Sequence, residues 1–135
     1  MVNILVCDDD KEIAGALEIY LRNEGYNVFK AYDGMEALNI VKQNQIHLIL
    51  MDVMMPNLDG IQATMKIREE NNIPIIMLSA KSEDYDKIIG LNVGADDYIT
   101  KPFNPLELIA RVKSHLRRFT RLGSMDAESK EGIYT

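Results

Sequence analysis

The feature that most constrains the fold is an alternation of short apolar runs with segments of helical periodicity. Five runs have the length and the bounding turn signals of buried strands: VNILVC, NVFKAY, IHLILMD, IPIIMLSA and DYIT. After each run, apolar residues recur at the spacing of one helix face. Strands that alternate with helices indicate a parallel sheet, because each right-handed crossover places its helix on a face of the sheet. The predicted fold class is α/β, a doubly wound (βα)5 domain.

The limits of the helices follow from the same periodicity and from turn residues. The predicted limits are an end of the first helix at Gly25, a third helix from Ile61 to about Glu70, a fourth over residues 84–93 and a last from about Pro105 to Arg118. The final stretch, TRLGSMDAESKEGIYT, loses the pattern and gathers glycine, serine and mixed charge. We therefore expect one domain over residues 1–119 and a linker or tail over residues 120–135.

Composition narrows the classes of function. The 135 residues are 47% hydrophobic and 27% charged, which suits one compact domain with a single core. The one cysteine, Cys7, lies inside an apolar run, so a disulfide framework is excluded and a reducing cytoplasm is expected. No apolar run approaches the roughly 20 residues of a membrane span, and no membrane partner is expected. The formal net charge of −6 argues against nucleic-acid binding by this chain alone, which needs a cationic surface.

Polar side chains follow the predicted strands, at the edge where a parallel sheet places its chemistry. They are Asp8, Asp9 and Asp10 after the first strand, Asp52 after the third, Ser79 and Ala80 after the fourth, and Thr100, Lys101 and Pro102 after the fifth. Clustered carboxylates repel one another unless a cation or a proton neutralises them, and an all-oxygen set suits a hard ion such as Mg²⁺. A lysine and a hydroxyl opposite that ion are suited to hold phosphoryl oxygens.

Taken singly, these residues also have structural explanations. Asp10 is predicted to be the N-cap of the first helix, where its carboxylate would accept from early backbone N–H groups. Asp8 and Asp9 could be solvated turn residues, Ser79 could cap a turn, and Lys101 could be a surface charge. The two histidines have no companions at metal-ligand spacing and are expected to be ordinary, partly exposed residues. The combination at one sheet edge is what favours a phosphoryl site.

Four stretches carry a family resemblance: VCDDD, LILMDVMMPNLDG, IIMLSAK and GADDYITKPFNPLELIARV. They resemble the receiver domain of two-component response regulators, in the winged-helix OmpR/PhoB-like branch. The resemblance covers residues 2 to about 118, and the last stretch, continued by KSHLRRFTRLGS, is also similar to VanR-type regulators of vancomycin resistance. It implies a flavodoxin-like, CheY-like sheet with strand order 2-1-3-4-5.

The resemblance also implies a phosphoacceptor and a metal. Asp52 matches the aspartate that receives a phosphoryl group from a phosphohistidine of a sensor histidine kinase. Asp9, Asp52 and the backbone carbonyl of Met54 match the direct ligands of Mg²⁺, which Mn²⁺ or Ca²⁺ can replace, and Asp8 matches a ligand that acts through water. The chain is expected to catalyse only its own phosphotransfer and autodephosphorylation, so it is not expected to be an enzyme with turnover.

Further positions match the residues around the phosphoryl group. Lys101 and the hydroxyl of Ser79 would contact its oxygens, assisted by the backbone amide of Ala80. The Lys101–Pro102 peptide matches a cis bond of the family, and Asp59–Gly60 matches the turn after the active-site loop.

The same resemblance implies a switch and an output surface. Ser79 would move towards the phosphoryl group and Tyr98 would rotate into the vacated space, while Met54 and Lys81 flank the path of attacking water. The active form is expected to be a homodimer built on the fourth helix, fifth strand and fifth helix. Its matching positions are Ile88, Leu91 and Ala110 in an apolar patch and three intermolecular ion pairs, Lys87 with Glu107, Asp97 with Arg111 and Asp96 with Lys113.

Three other functions fit these residues less well. A haloacid-dehalogenase-type phosphohydrolase needs a second aspartate two residues after the nucleophile, where this chain has Met54. A flavodoxin-type flavin site needs a phosphate-binding loop after the first strand, where the carboxylates lie. A degenerate receiver that acts only as a binding module is disfavoured, because every expected site residue is present.

The winged-helix branch carries a DNA-binding domain after the linker, and residues 119–135 are too few to form one. We expect the chain to be the receiver of a longer transcription regulator, with a single-domain regulator as the alternative. DNA contact and transcriptional control would then belong to the whole protein.

Overall fold

The computed structural model describes residues 1–80 and 92–131, with side chains as far as residue 119. Its elements are β1 (Asn3–Cys7), α1 (Lys11–Asn23), β2 (Asn27–Ala31), α2 (Gly34–Gln43), β3 (Leu48–Asp52), α3 (Gly60–Arg68), β4 (Ile75–Ala80), β5 (Asp97–Lys101) and a C-terminal helix (Pro105–Glu131). The helix predicted over residues 84–93 falls almost entirely outside the described residues.

The five strands form one parallel sheet in the order β2-β1-β3-β4-β5, which confirms the predicted fold class and strand order. Because β3 lies at the centre of the sheet, all five of its residues are buried. Side chains alternate between the two faces of the sheet. In β1, Leu5 packs on the side of α2 and α3, whereas Ile4 packs on the side of α1 and the C-terminal helix.

Helix starts follow from capping residues. The side chain of Asp10 accepts from the backbone N–H groups of Glu12 and Ile13, which confirms Asp10 as the N-cap of α1. Asp59 caps α3 in a reciprocal capping box with Gln62. Because these caps end the loops after β1 and β3, the carboxylates of those loops are held close to the sheet edge.

The C-terminal helix is longer than predicted, since it continues past Arg118 to Glu131. The prediction relied on the loss of apolar periodicity, but this segment contains no proline and is rich in helix-forming residues such as Arg, Met, Ala, Glu and Lys. One glycine costs a helix only about 1 kcal/mol. The assignment of residues 120–135 to a linker stays a prediction. Among the described residues, no helix combines the length and the apolar character that crossing a membrane requires.

Candidate functional site

Three carboxylates meet at the carboxyl edge of the sheet. Asp8 and Asp9 follow β1, Asp52 ends β3, and each offers an oxygen within 4.8 Å of the other two. Asp8 and Asp52 are buried, whereas Asp9 is exposed. A cluster of oxygen ligands with one solvent-facing member fits a hard cation that keeps some of its water, so the donor set could hold Mg²⁺.

Lys101 lies between the two buried carboxylates. Its Nζ is 2.9 Å from Asp8 Oδ2 and 3.2 Å from Asp52 Oδ1. Burial opposes the ammonium form, but the hydrogen bonds and charges of the two carboxylates outweigh it and raise the pKa of Lys101. The lysine is therefore a fixed cation at neutral pH, in contact with both buried carboxylates.

Asp8 already uses both of its carboxylate oxygens. Oδ1 accepts from the backbone N–H of Asp10 at 2.9 Å, and Oδ2 accepts from Lys101. Direct ligation of a cation by Asp8 would compete with one of these bonds. Ligation through a water molecule would leave both bonds in place, and this role of Asp8 stays a prediction.

Asp52 is the most electrostatically perturbed carboxyl of the site. Burial and, after it, the charge of Asp8 raise its pKa from 3.8 to about 6, although Lys101 acts in the opposite direction. The cause is the loss of water around a charge that also has like charges nearby. A cation at the cluster would remove this penalty, because it favours the ionised carboxylate.

The loop after β3 holds Asp52 through close backbone contacts. The amide of Gly60 donates to the carbonyl of Val53 at 2.9 Å, and a Cβ at residue 60 would overlap the carbonyl oxygen of Asp52. Only glycine permits this approach. The sequence analysis identified Asp59–Gly60 as a turn, but it did not predict that Gly60 packs against the candidate nucleophile.

Ser79 and Tyr98 occupy the predicted switch region. The Ser79 hydroxyl is buried at the end of β4 and donates to the carbonyl of Ala80 at 3.3 Å. Tyr98 is 7% exposed and packs in the core on the side of α2 and α3. The Tyr98 side chain is thus already inside in this structure. The Lys101–Pro102 peptide is cis, as the resemblance implied.

Within the part of the chain that the structure describes, the charged residues predicted for the dimer surface have partners in the same chain. Arg111 contacts Asp97 at 2.7 Å and Glu107 at 3.0 Å, and Ala110 is exposed beside them. Asp97 also lies 2.9 Å from the Nε2 of His115. The expectation of a partly exposed histidine was wrong for His115, which is buried where the C-terminal helix meets Asp97 of β5.

In the third predicted pair, Asp96 and Lys113 each form an ion pair with another residue of the same chain. Asp96 contacts Arg68 at 2.7 Å, and Lys113 contacts Glu24 at 2.6 Å. Four positions of the predicted switch and dimer surface lie outside the described residues, namely Lys81, Lys87, Ile88 and Leu91.

An apolar groove of about 520 Å³ opens beside Lys101. One wall comes from α1 and the other from the segment between β5 and the C-terminal helix. Its lining residues are Glu12, Ile13, Ala16, Tyr20, Ala80, Lys101, Pro102, Phe103 and Pro105. The sequence analysis did not predict this groove, because its walls are far apart along the chain.

Comparison with known proteins agrees with the fold and the site. The family "Response regulator receiver domain" matches residues 4–113. The chain is 48% identical over 130 residues to the regulatory protein VanR of Enterococcus faecium, which covers 96% of this chain and 56% of that protein. It is 52% identical over 118 residues to the regulatory protein VanRc of Enterococcus gallinarum, which covers 87% and 51%.

A solved structure agrees as well. The receiver domain of the Francisella response regulator 1452 superposes with a TM-score of 0.82 at 43% identity, covering 87% of this chain and 98% of that one. The chain belongs to the response regulator receiver domain family. It is VanR-like, and it spans about half the length of the two curated relatives. The family is one of signalling receivers and is not an enzyme family.

Proposed function

We propose that Asp52 accepts a phosphoryl group from a phosphohistidine of a sensor histidine kinase in a Mg²⁺-dependent reaction. The observation that carries this proposal is the convergence of Asp8, Asp9 and Asp52 within 4.8 Å, with the Lys101 ammonium against two of them. A carboxylate is a poor nucleophile towards an anionic phosphoryl group unless nearby positive charge compensates. This site provides the cation of Lys101 and a ligand set for a second one.

Each residue of the site then has a role. An oxygen of Asp52 would attack phosphorus in line, so that a phosphorus–oxygen bond forms as the phosphorus–nitrogen bond to the histidine breaks. Lys101 would contact a phosphoryl oxygen, and Ser79 with the amide of Ala80 would contact others. Mg²⁺, or Mn²⁺ or Ca²⁺ in its place, would be held by Asp9, Asp52 and the Met54 carbonyl and would neutralise phosphoryl charge when bound.

The groove beside Lys101 supports a kinase partner. It is lined mainly by apolar side chains, including Ile13, Tyr20 and Phe103, and Lys101 forms part of its wall. A helix packed in an apolar groove is a common mode of recognition between proteins. A kinase helix in this groove would bring its phosphohistidine to Asp52.

The output proposed for this receiver is a homodimer. Phosphorylation would draw Ser79 towards the phosphoryl group, hold Tyr98 in the inward position that it already has here, and favour a twofold contact through β5, the C-terminal helix and the segment before β5. In a longer regulator this contact would bring two DNA-binding domains together and control transcription in the cytoplasm. A ligand shifts such an equilibrium only through differential affinity, so the dimer should be weak without the phosphoryl group.

The test of the proposal is phosphorylation by acetyl phosphate, followed by intact-protein mass spectrometry. The wild-type chain should gain one phosphoryl group with Mg²⁺ and none with a chelator, because the carboxylate cluster is repulsive without a cation. Asp52→Ala should abolish the gain, whereas Glu70→Ala, at an exposed carboxylate just after α3, should preserve it. Full phosphorylation of Asp52→Ala, or uptake that is insensitive to the chelator, would refute the assignment.

A further inference from the structure

The loop after β3 carries the proposed ligand carbonyl of Met54, yet the Met54 side chain does little to fix it. That side chain is 67% exposed. The base of the loop is fixed by backbone bonds, from the Val53 amide to the Leu78 carbonyl at 3.0 Å and from the Gly60 amide to the Val53 carbonyl at 2.9 Å. The side chain of Met55 is also buried in the core, and the tip of the loop, residues 56–58, has a further anchor.

That anchor lies on a different element. The Nδ2 of Asn57 donates to Oδ2 of Asp33 at 2.8 Å, and the amide of Gly34 donates to the carbonyl of Leu58 at 2.9 Å. A Cβ at residue 34 would overlap the Leu58 backbone, so the two turns meet at a distance that glycine alone allows. The turn between β2 and α2 is therefore hydrogen-bonded to the tip of the loop after β3 and packs against it.

The conformation of Asn57 shows that this contact is specific. Its φ is +65°, a left-handed conformation that costs residues other than glycine about 1–2 kcal/mol and that asparagine tolerates best. Such strain persists only where the surroundings over-determine it. At the rim of this site, the Asp33 carboxylate and the Gly34 amide are those surroundings.

Asp33 is itself held in place. Its Oδ1 accepts from the Glu36 backbone N–H at 2.9 Å and caps α2, which leaves Oδ2 for Asn57. These bonds, first that of the Glu36 amide and then that of Asn57, lower the pKa of Asp33, so the carboxylate stays ionised and its bonds are charge-assisted.

We propose that Asp33 and Asn57 form a clamp that positions the Met54 backbone, and Asp52 with it, for the magnesium ion. This inference rests on the proposed function of the site. The two residues touch no reacting atom and act as positioning residues, through the loop between Val53 and Asp59. Residues that orient metal ligands from outside the ligand set have effects of about tenfold or more on metal affinity in other proteins.

The experiment is a titration of the chain with Mg²⁺ alone, followed by the backbone amide resonances of residues 8–10 and 53–60. Asn57→Gly keeps the positive φ without strain and removes the side-chain bond. We expect it to raise the Mg²⁺ dissociation constant by roughly threefold or more. Asn44→Gly is the matched control, because it removes an asparagine bond at the other end of α2 and should leave Mg²⁺ affinity unchanged.

A swapped pair separates positioning from general stability. Asp33→Asn combined with Asn57→Asp keeps the net charge, keeps an N-cap for α2 and restores the bond with donor and acceptor exchanged. We expect the swap to return the dissociation constant to within roughly twofold of wild type. A loosened fold alone would lower the melting temperature of Asn57→Gly without changing the affinity of the folded fraction.

The outcomes are distinct. Wild-type affinity in Asn57→Gly, or a swap that binds as weakly as Asn57→Gly, would overturn the clamp and leave the proposed function standing. If the amide resonances of residues 8–10 and 53–60 in the wild-type chain do not shift when Mg²⁺ is added, the proposed function is overturned, and the clamp with it.

Discussion

Arg111 forms an ion pair with Asp97 of its own chain, with 2.7 Å between Nη1 and Oδ1, on the surface proposed for the dimer. Asp97 also contacts His115, and Arg111 also contacts Glu107. Asp97, Arg111 and Glu107, which are expected to pair across the twofold axis, are therefore already paired within one chain. Dimerisation would exchange ion pairs for similar ones, and such an exchange contributes little net free energy. Apolar contact and the phosphoryl-dependent switch must then supply the free energy of association.

Reversing the charge of Arg111 should block the dimer. In Arg111→Glu, a glutamate would face Asp97 of its own chain and of the partner copy, so like charges would meet twice in a twofold contact. We expect phosphorylation to remain intact and dimerisation with fluoroberyllate and Mg²⁺ to be lost in analytical ultracentrifugation. A wild-type chain that stays monomeric at high concentration, or an Arg111→Glu chain that dimerises equally well, would remove this surface as the output.

Releasing Lys113 from Glu24 should strengthen the dimer. Lys113 is expected to pair with Asp96 across the axis, but Glu24 holds it at 2.6 Å within the chain. Exposed pairs contribute about 0.2–1 kcal/mol, and two are released per dimer, so Glu24→Gln should lower the dimer dissociation constant by roughly twofold to thirtyfold. Glu18→Gln is the control, since it also removes one negative charge from α1 but releases only Arg22 and Lys30. An equal decrease of the dimer dissociation constant in both variants would show that the loss of one negative charge, and not the release of Lys113, strengthens the dimer.

Sequence predicted most reliably what depends on local pattern. The five strands followed from apolar runs, and the capping of α1 by Asp10 followed from its position after an apolar strand. The sheet order is not a local property, and it followed from the family resemblance. The partner of Lys113 could not be predicted, because several carboxylates are within reach of a long exposed side chain and no pattern specifies one. The Asp33–Asn57 bond was missed for a similar reason: it joins two turns 24 residues apart and depends on an unusual backbone conformation.

Met54 should control how long the phosphoryl group lasts. Its apolar, exposed side chain lies two residues after Asp52 and offers attacking water no hydrogen bond. Met54→Asn places an amide there that can orient water, so we expect autodephosphorylation to accelerate roughly threefold to tenfold. The rate is measured by the decay of the phosphorylated mass after removal of phosphodonor. Met65→Asn, at an exposed methionine on α3, should leave the rate unchanged. If Met54→Asn decays at the wild-type rate, the lifetime is set elsewhere.

Gly60 should tolerate no side chain. Gly60→Ala forces a methyl group against the Asp52 carbonyl, and overpacking of this kind costs about 1–3 kcal/mol of unfolding free energy. Gly15→Ala provides the opposite case, because a Cβ there meets nothing within 4 Å and alanine favours the interior of α1 by about 0.5–1 kcal/mol. Urea denaturation should show destabilisation in the first variant and stabilisation in the second. Equal stability of Gly60→Ala and wild type would show that the loop can move away.

The buried charge of Asp52 should lower stability at neutral pH when no cation is bound. Folding raises the pKa of Asp52 from 3.8 to about 6, so the folded chain binds more protons than the unfolded chain between those values. The contribution of Asp52 to the free energy of unfolding is therefore most favourable below pH 3.8. It falls as the pH rises to about 6 and is constant above that pH.

Asp52→Asn removes that penalty while keeping the shape of the side chain. With EDTA at pH 7.5, we expect this variant to be more stable than wild type by about 1–2 kcal/mol, after allowance for partial solvation and for the weakened bond to Lys101. The difference should shrink as the pH falls towards 4, where the wild-type carboxyl is protonated in the folded state. Mg²⁺ should also shrink it, because the cation stabilises the wild-type carboxylates. Glu70→Gln serves as the control at an exposed carboxylate. Two results would contradict this account: equal stability of Asp52→Asn and wild type at pH 7.5, or a stability difference that is the same at pH 4. Either would show that the buried charge of Asp52 is not what makes the site depend on a cation.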